Sequence, residues 1–270
     1  MSNIDTKFTG SIPEVYDSHL VPILFDGYAE ELAGRVARGA SGAVLEIAAG
    51  SGAVTRKLAL LLPRESRYVV TDLNGGMLER ARQHHSDDRL EWREADAMDL
   101  PFADGTFDAV VCQFGVMFFP DRVAAYSEIR RVLRPGGRFL FSSWGPLDEN
   151  EFSNALVQTL IALYPVDPPL FLARTPFGYS DADRIRADVA AAGFVDMTVE
   201  TVRLQSEAAS ADDFAFGQSY GSPLRLEIEA RDGPSLSTVR ESIATSLAAR
   251  FGDGAISGRM AALVVEAIAP

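Results

Sequence analysis

A short apolar run followed by a glycine turn and a helical segment, VLEIAAGSGAVT at Val44–Thr55, constrains the fold of this chain most strongly. From there to Trp144, apolar runs alternate with amphipathic segments, which is typical of βαβ units in a parallel sheet covered by helices on both faces. That alternation predicts five strands. The alternating VDMTVETVRLQ and the closing GRMAALVVEAIA predict two more, so the α/β sheet is expected to have seven strands.

Composition and charge narrow the class of protein. The chain has 270 residues, 47% of them hydrophobic, enough for a real core. The start, MSNIDTKFTG, lacks a basic segment leading into an apolar run, and the longest apolar stretch is too short to span a bilayer, so a cytoplasmic protein is expected. The formal net charge of -13 opposes attraction to phosphate backbones, and no nucleic-acid partner is expected.

The single cysteine, Cys112, is predicted to be a buried thiol.

The glycine turn predicts a cofactor site. Gly50 and Gly52 follow the first strand at the carboxyl edge of the sheet, where ligands of such folds bind and where the next helix offers free N–H groups. A glycine pair alone is a weak signal, since it also occurs in plain strand-to-helix turns. Asp72 strengthens it, because an acid about 20 residues further on can accept hydrogen bonds from both ribose hydroxyls. The pattern fits either a nicotinamide dinucleotide or S-adenosylmethionine.

Two residues near the turn distinguish between these two possible cofactors. A dinucleotide fingerprint has Gly or Ala three residues after the second glycine, for close helix packing and room around the pyrophosphate, and here Thr55 stands at that position. Glu46, inside the first strand, is unfavourable beside a pyrophosphate but suits the ammonium or sulfonium group of a cationic ligand. The balance favours S-adenosylmethionine.

Four motifs follow one another in order between Val44 and Trp144: VLEIAAGSG, VVTDLNGGML, EADAMDLPFADGTFDAVVCQFGVMFFPD and EIRRVLRPGGRFLFSSW. Together they resemble class I S-adenosylmethionine-dependent methyltransferases, most closely the type 11 family, which includes quinone-biosynthesis methyltransferases. Beyond Trp144 the resemblance is only architectural. It implies a Rossmann-like, seven-stranded, mostly parallel sheet whose last strand is antiparallel, with helices on both faces and a helical lid.

The resemblance also implies cofactor contacts at the residues that match its motifs. These contacts would be to the methionine moiety, the ribose, one face of the adenine, the adenine amino group and a ring nitrogen, and the sulfonium. In chain order the residues are Glu46, Ala48, Gly50, Gly52, Asp72, Leu73, Met77, Asp96, Ala97, Gln113 and Phe114. Several have a structural interpretation as well, since Leu73 and Met77 suit a core and Asp96 suits a turn.

The sequence departs from the family pattern at two positions. Ala48 stands where a glycine is frequent, and Gly75 replaces a frequent proline, which leaves Asn74 as the predicted N-cap of the following helix.

The pattern of apolar residues predicts a helical segment over residues 1–42 and helical additions at about 146–180 and 208–254. The resemblance implies that the first segment is a lid and that residues 43–270 form a methyltransferase domain. Methyl transfer is an in-line displacement at an activated carbon, so positioning does much of the work and no metal is expected. A base is needed only if the acceptor must lose a proton. His19 and Tyr16, in the lid segment, are the candidate catalytic residues.

The expected reaction moves a methyl group from S-adenosylmethionine to oxygen, nitrogen or carbon of a small molecule and leaves S-adenosylhomocysteine. Aromatic residues after Trp144 are more typical of a core than of a pocket, but any that line a pocket indicate an apolar or aromatic acceptor. Two alternatives stay open: a non-catalytic S-adenosylmethionine-binding protein and, less favoured, a nicotinamide-dependent oxidoreductase. The oligomeric state is open.

Overall fold

The computed structural model describes residues 5, 6, 8, 10–39 and 42–270 of the chain. Over that part of the chain, seven strands form one sheet in the order β3-β2-β1-β4-β5-β7-β6. The strands are β1 (Val44–Glu46), β2 (Tyr68–Asp72), β3 (Leu90–Glu94), β4 (Phe107–Gln113), β5 (Leu133–Trp144), β6 (Met197–Ala208) and β7 (Ile256–Ile268).

The sheet is parallel from β3 to β5 and antiparallel at β7. The pairs β1–β2, β1–β4, β2–β3 and β4–β5 are all parallel. Between β5 and β7 the Gly136 N–H donates to the Ala269 carbonyl at 2.9 Å, whereas the Gly145 N–H donates to the Ala261 carbonyl at 2.9 Å. The partner number falls as the chain advances along β5, which defines antiparallel pairing. The predicted Rossmann-like fold class, including its antiparallel last strand, is confirmed.

Helices surround the sheet. A π-helix occupies Tyr16–Phe25 between the first two α-helices. None of the helices among the described residues is long and apolar enough to cross a membrane. The α-helices are α1 (Ile12–Val15), α2 (Asp26–Ala37), α3 (Ala53–Leu61), α4 (Gly75–Arg82), α5 (Arg122–Val132), α6 (Glu151–Leu163), α7 (Phe171–Arg174), α8 (Ala182–Ala191), α9 (Ala211–Tyr220), α10 (Leu224–Glu229) and α11 (Leu236–Phe251).

The chain divides into two compact units. The first unit comprises Met1–Phe25, Trp144–Tyr179 and Arg203–Ala261, and the second comprises Asp26–Ser143, Ser180–Val202 and Ala262–Pro270. The lid expected over residues 1–42 stays a prediction, and its residues 1–4, 7, 9, 40 and 41 lie outside the described part of the chain.

The second unit is built around the buried parallel strands. Every residue of β1 and β2 is buried, as expected of strands covered on both faces. Tyr126 of α5 stacks on Phe141 of β5 with ring centroids 5.5 Å apart, and Phe141 stacks on Phe139 at 4.8 Å. Cys112 is buried in β4, which confirms the predicted buried thiol, and burial raises the pKa of that thiol.

The first unit has an aromatic core. The Phe152 ring of α6 packs edge-on against Phe214 of α9 at 5.3 Å and against Phe251 of α11 at 4.9 Å between centroids. Most of the aromatic residues considered for an acceptor pocket are buried in this way, so the core interpretation holds for them. They are Trp144, Phe152, Phe171, Phe177, Tyr179 and Phe214.

A buried ionic cluster joins the N-terminal part of the first unit to its helices. The fully buried Asp5 carboxylate accepts hydrogen bonds from Arg174 Nη2 at 2.7 Å and from Thr175 Oγ1 at 2.8 Å. Arg174 also pairs with Glu227 of α10. A buried carboxylate needs such partners, because burial without them is very costly.

Two glycines inside helices form a matched pair for testing the packing. A Cβ on Gly34 of α2 would have no contact within 4 Å, whereas a Cβ on Gly217 of α9 would lie 2.9 Å from Leu20 Cδ2 and 3.0 Å from His19 Cβ. We expect Gly34→Ala to raise the free energy of unfolding by about 0.5–1 kcal/mol and Gly217→Ala to lower it by roughly 1–3 kcal/mol through overpacking. Urea unfolding followed by circular dichroism measures both. Equal stability of the two variants would contradict the close packing at Gly217.

Candidate functional site

The turn after β1 takes a strained backbone path. Ala48, Gly50 and Gly52 all have positive φ, at 52°, 59° and 84°. Glycine adopts this region freely, but for alanine it costs roughly 1–2 kcal/mol. Gly52 also occupies the N-cap position of α3. Such strain persists only where the surroundings fix the backbone, and it is frequent at ligand sites.

A buried carboxyl group anchors the base of this turn. Glu46, at the end of β1, is 2% exposed. Its Oε2 accepts a hydrogen bond from Thr55 Oγ1 of α3 at 2.7 Å and a second one from the Tyr68 hydroxyl of β2. Thr55, the residue that departs from the dinucleotide fingerprint, therefore has a structural role as a hydrogen-bond donor to Glu46. The predicted role of Glu46 toward a methionine moiety stays a prediction.

Burial raises the pKa of Glu46 to about 7, against the hydrogen bonds from Tyr68 and Thr55, which lower it. The nearby Asp72 charge acts in the same direction as burial. A carboxyl group in this environment changes its charge near neutral pH, unlike an exposed glutamate.

Asp72, at the end of β2, is fixed beside the glycine turn. Its Oδ2 accepts a hydrogen bond from the Gly50 N–H and its Oδ1 accepts one from the Asn74 N–H, each at 2.7 Å. Burial raises the pKa of the Asp72 carboxyl, while the two backbone N–H groups oppose that rise. The two hydrogen bonds fix the plane of the carboxylate at the edge of the sheet, and the role of Asp72 toward a ribose stays a prediction.

The start of α4 provides the next predicted contacts. Asn74 is its N-cap and accepts hydrogen bonds from the Gly76 and Met77 N–H groups at 3.0 and 3.1 Å, which confirms the predicted cap. Leu73, which directly follows the buried strand β2, is 58% exposed. Met77 is 4% exposed and belongs to the core, with its Cε 3.6 Å from where a Cβ on Gly50 would lie.

The turns after β3 and β4 hold the remaining predicted residues. Asp96 is exposed, and its Oδ1 accepts a hydrogen bond from the Met98 N–H at 2.9 Å, so it forms a turn of its own beside Ala97. Gln113 ends β4, and Phe114 follows with a φ of 50° and its ring 5.4 Å from that of Tyr28. Phe114 is thus a second strained non-glycine residue at the carboxyl edge of the sheet.

Gly115 brings the turns after β1 and β4 together. A Cβ on Gly115 would lie 2.6 Å from Ala48 Cβ and 2.7 Å from Cys112 Sγ, closer than real atoms approach. Only glycine fits this contact. The strained Ala48 is therefore held from the β4 side as well as from its own turn.

The donors and acceptors of this edge fit S-adenosylmethionine. The Ser51 hydroxyl, between the two glycines, is 1% exposed and has no hydrogen-bond partner within the described chain. A buried polar atom of this kind indicates a ligand or water at the turn. Asp72 can accept from ribose hydroxyls, and the exposed Leu73 offers an apolar surface to a ring.

The two candidate catalytic residues lie in the first unit, whereas all the predicted cofactor residues lie in the second. Tyr16 and His19 both belong to the π-helix, an uncommon element that is frequent at functional sites. The Tyr16 ring stacks on Phe25 at 5.1 Å between centroids. His19 Nδ1 lies 2.6 Å from Asp213 Oδ1.

Three residues with structural or chemical roles escaped the sequence-based prediction. Tyr68 was detectable, because it pairs with Val44 across β1 and β2 and so shares a face with Glu46 two residues on. Gly115 had a weak signal as a glycine directly after a predicted strand. Asp213 had none, since 194 residues separate it from His19.

The strand order, the glycine turn between β1 and α3 and the acids that end β1 and β2 together define a Rossmann-like fold with a ligand site at the carboxyl ends of its strands. Residues 45–141 match the type 11 family, described as a methyltransferase domain. This segment is a class I S-adenosylmethionine-dependent methyltransferase domain of type 11, as the motifs had indicated.

Curated relatives match the same part of the chain. The ubiquinone/menaquinone biosynthesis C-methyltransferase UbiE of Hahella chejuensis is 40% identical over 105 residues, which cover 37% of this chain and 42% of that protein. The UbiE of Teredinibacter turnerae is 36% identical over 125 residues, 45% of this chain and 48% of that protein. The chain thus spans less than half the length of these two curated relatives.

Solved structures share the fold at low identity. Phosphoethanolamine N-methyltransferase 2 of Haemonchus contortus, in complex with S-adenosyl-L-methionine, has a TM-score of 0.63 at 17% identity and covers 100% of this chain and 60% of that chain. The YcgJ protein of Bacillus subtilis has a TM-score of 0.60 at 18% identity and covers 90% of this chain and 98% of that chain.

The titration of Glu46 predicts a pH effect on stability. Because its pKa is raised to about 7 in the folded protein, protonation stabilises the fold, and this contribution is full below the unfolded pKa of about 4.5 and lost as pH rises through about 7. The wild-type free energy of unfolding should fall by on the order of 2–3 kcal/mol between pH 5 and pH 8.5 relative to Glu46→Gln. Urea titrations at the two pH values measure the difference.

Glu91→Gln is the matched control. Its pairing with Arg67 lowers the pKa of Glu91, so this carboxylate is ionised at both pH values and the variant should retain the wild-type pH dependence. A Glu46→Gln variant whose stability changes with pH as the wild type does would show that Glu46 does not titrate in this range.

Proposed function

We propose that this protein transfers a methyl group from S-adenosylmethionine to a small-molecule acceptor and releases S-adenosylhomocysteine. The observation that carries the proposal is the Asp72 carboxylate, fixed by the Gly50 and Asn74 N–H groups beside the strained glycine turn. The family of the segment and the solved relatives that bind S-adenosylmethionine support the same cofactor.

The proposed cofactor roles are supported by the positions of these residues at the carboxyl ends of the strands. Asp72 binds the ribose, and the turn at Gly50 and Gly52 lies against the methionine moiety with the buried Glu46 beneath it. Leu73 covers one face of the adenine and Asp96 accepts from its amino group, next to Ala97. Gln113 and Phe114, after β4, lie toward the sulfonium. The other two residues that we propose to contact the cofactor are Ala48 and Met77.

The chemistry rests on alignment. When bound, S-adenosylmethionine supplies an activated methyl carbon, and the chain orients it and excludes water, which is worth roughly 7–11 kcal/mol of the barrier when the geometry is good. Residues of the N-terminal segment, Tyr16 and His19, act on the acceptor in this proposal. His19 is the candidate base for an acceptor that must lose a proton.

The class of acceptor is proposed from two lines of support. The curated relatives are named for C-methylation in ubiquinone and menaquinone biosynthesis, which makes a quinol ring the first acceptor to test. The formal net charge of -13 disfavours nucleic acid as the acceptor. A nicotinamide cofactor is disfavoured because Thr55, bonded to Glu46, occupies the position where a dinucleotide requires a small residue.

Calorimetry tests the cofactor. The protein should bind S-adenosylmethionine and S-adenosylhomocysteine and not NAD, and Asp72→Asn should weaken binding of both derivatives at least tenfold, since about 1.4 kcal/mol corresponds to that factor and a charge-assisted hydrogen bond is worth about 1.5–3 kcal/mol.

Asp181→Asn is the matched control, because Asp181 also accepts two backbone N–H groups, at 2.8 and 3.2 Å, but as the N-cap of α8. Asparagine caps a helix equally well, so this variant should bind like the wild type. Tight NAD binding without binding of the methionine derivatives would refute the proposed cofactor.

Turnover separates an enzyme from a non-catalytic binding protein. Transfer of a radiolabelled methyl group from S-adenosylmethionine is measured with reduced 1,4-naphthoquinone, catechol and phosphoethanolamine as acceptors. We expect labelled product with at least one of the two hydroxyl-bearing aromatic rings. Tight cofactor binding with no labelled product from any of the three would favour the non-catalytic alternative.

A further inference from the structure

The two oxygens of the buried Glu46 carboxyl group have different surroundings. Thr55 Oγ1, at 2.7 Å, and the Tyr68 hydroxyl both donate to Oε2. Oε1 accepts no hydrogen bond from the described part of the chain. Because Oε2 already accepts two hydrogen bonds, the proton of a neutral Glu46 lies on Oε1.

The charged and titratable groups around Glu46 leave its charge uncompensated. Arg56 of α3 lowers the pKa of Glu46, but its effect is smaller than that of burial, and Asp72 of β2 adds a second negative charge that raises this pKa. Burial also raises the pKa values of Tyr68 and of the Cys112 thiol of β4, so neither group carries charge near neutral pH. Glu46 therefore titrates in the neutral range without a cationic partner from its own unit.

A cationic ligand at the glycine turn would reverse the balance that favours the protonated form. A buried carboxylate without a cation is costly, whereas an opposite charge nearby favours ionisation. An ammonium group also brings N–H donors, which match an oxygen that has none, and a charge-assisted hydrogen bond of this kind is stronger than a neutral one. A sulfonium group has no such donor. The chemistry of Oε1 thus fits the ammonium group of a methionine moiety.

We propose that Glu46 releases its proton when the ammonium group of S-adenosylmethionine binds at the glycine turn, so that cofactor binding is coupled to pH. The inference rests on the proposed function and adds the charge state in which the site takes its cofactor. The exchange balances in atoms and charge. The proton leaves Oε1 for a base of the solution, the ammonium N–H groups become the donors to that oxygen, and Oε2 keeps its two hydrogen bonds.

The direction of the pH dependence follows from this exchange. Burial raises the pKa of Glu46 to about 7, so at lower pH binding must expel a proton, and the affinity falls as the pH falls. Above a pH of about 8 the α-amino group of the ligand loses its own charge. The affinity should therefore be greatest between these two values.

S-adenosylhomocysteine is the suitable probe, because its sulfur is neutral and no methyl transfer follows its binding. Its Kd should be at least about tenfold higher at pH 5.5 than at pH 7.5. Calorimetry at pH 6.5 in phosphate and in imidazole buffer, which differ in ionisation enthalpy, counts the protons released. We expect roughly 0.6–0.8 of a proton per ligand, since a group with a pKa of about 7 is mostly protonated at this pH.

Glu46→Gln removes the titrating group and keeps the shape of the protonated side chain. This variant should release no proton, and its Kd should stay within threefold between pH 5.5 and pH 7.5. Glu91→Gln is the matched control and should behave as the wild type, because pairing with Arg67 lowers the pKa of Glu91 and keeps it ionised throughout.

A second ligand separates Glu46 from Asp72, whose pKa is also raised by burial. 5′-Methylthioadenosine keeps the adenine and the ribose hydroxyls but has no ammonium group, so it should release no proton. Release of the same fraction of a proton by this ligand would assign the coupling to the ribose contact and overturn the inference.

Tyr68→Phe provides an independent test if Glu46→Gln does not fold. The hydrogen bond from Tyr68 lowers the pKa of Glu46, so its loss should move the steep part of the Kd profile to higher pH while proton release persists. Circular dichroism checks that the variant is folded. A folded variant with the wild-type profile would show that the titrating group is not Glu46.

The outcomes distinguish this inference from the proposed function. If S-adenosylhomocysteine binds with the same Kd at both pH values and releases no proton, the proposed cofactor stands and the coupling fails. If neither S-adenosylmethionine nor S-adenosylhomocysteine binds at either pH, the proposed function fails and this inference fails with it.

Discussion

The hydrogen bonds of the buried Glu46 carboxyl group are the interaction on which the cofactor edge depends. The cofactor edge is the set of turns at the carboxyl ends of β1, β2, β3 and β4. The carboxyl group joins three elements, because β1 carries it while α3 and β2 supply the hydroxyls of Thr55 and Tyr68 that bond to it. An isolated carboxylate in a protein interior is too costly to retain, so these two hydrogen bonds and the shift of its pKa to about 7 make the arrangement possible. The strained turn that follows, from Ala48 to Gly52, starts from this fixed point.

Strain and close packing then define the geometry of the edge. Ala48 and Phe114 both have positive φ, and Gly115 lets the two turns meet where any side chain would collide with Ala48. Asp72 adds the third constraint by bonding to the Gly50 N–H. A turn held from three sides presents its backbone to a ligand with little reorganisation, which is what catalysis by alignment requires.

Much of the fold and of the cofactor edge could be predicted from the sequence. The strand-helix alternation from Val44 to Trp144, the glycine turn, the acid at position 72 and the Asn74 cap are local signals, because turn chemistry and hydrophobic period act between near neighbours in the chain. The aromatic segment after Trp144 was harder to interpret, since an apolar run with several prolines favours a core without excluding a pocket. Burial of Phe152 and Phe214 decides for the core.

The sequence by itself determined the class of fold, the position of the glycine turn and the identity of the acids near it. Only the tertiary structure decided what those residues touch. It assigned Thr55 and Tyr68 to Glu46, placed Gly115 against Ala48 and brought Asp213 to His19 across 194 residues. The physical reason is the distance along the chain over which each interaction acts. Backbone preferences and hydrophobic periodicity depend on residues that are close in the sequence, whereas hydrogen-bond partners and steric contacts depend on packing between elements that are distant in the chain.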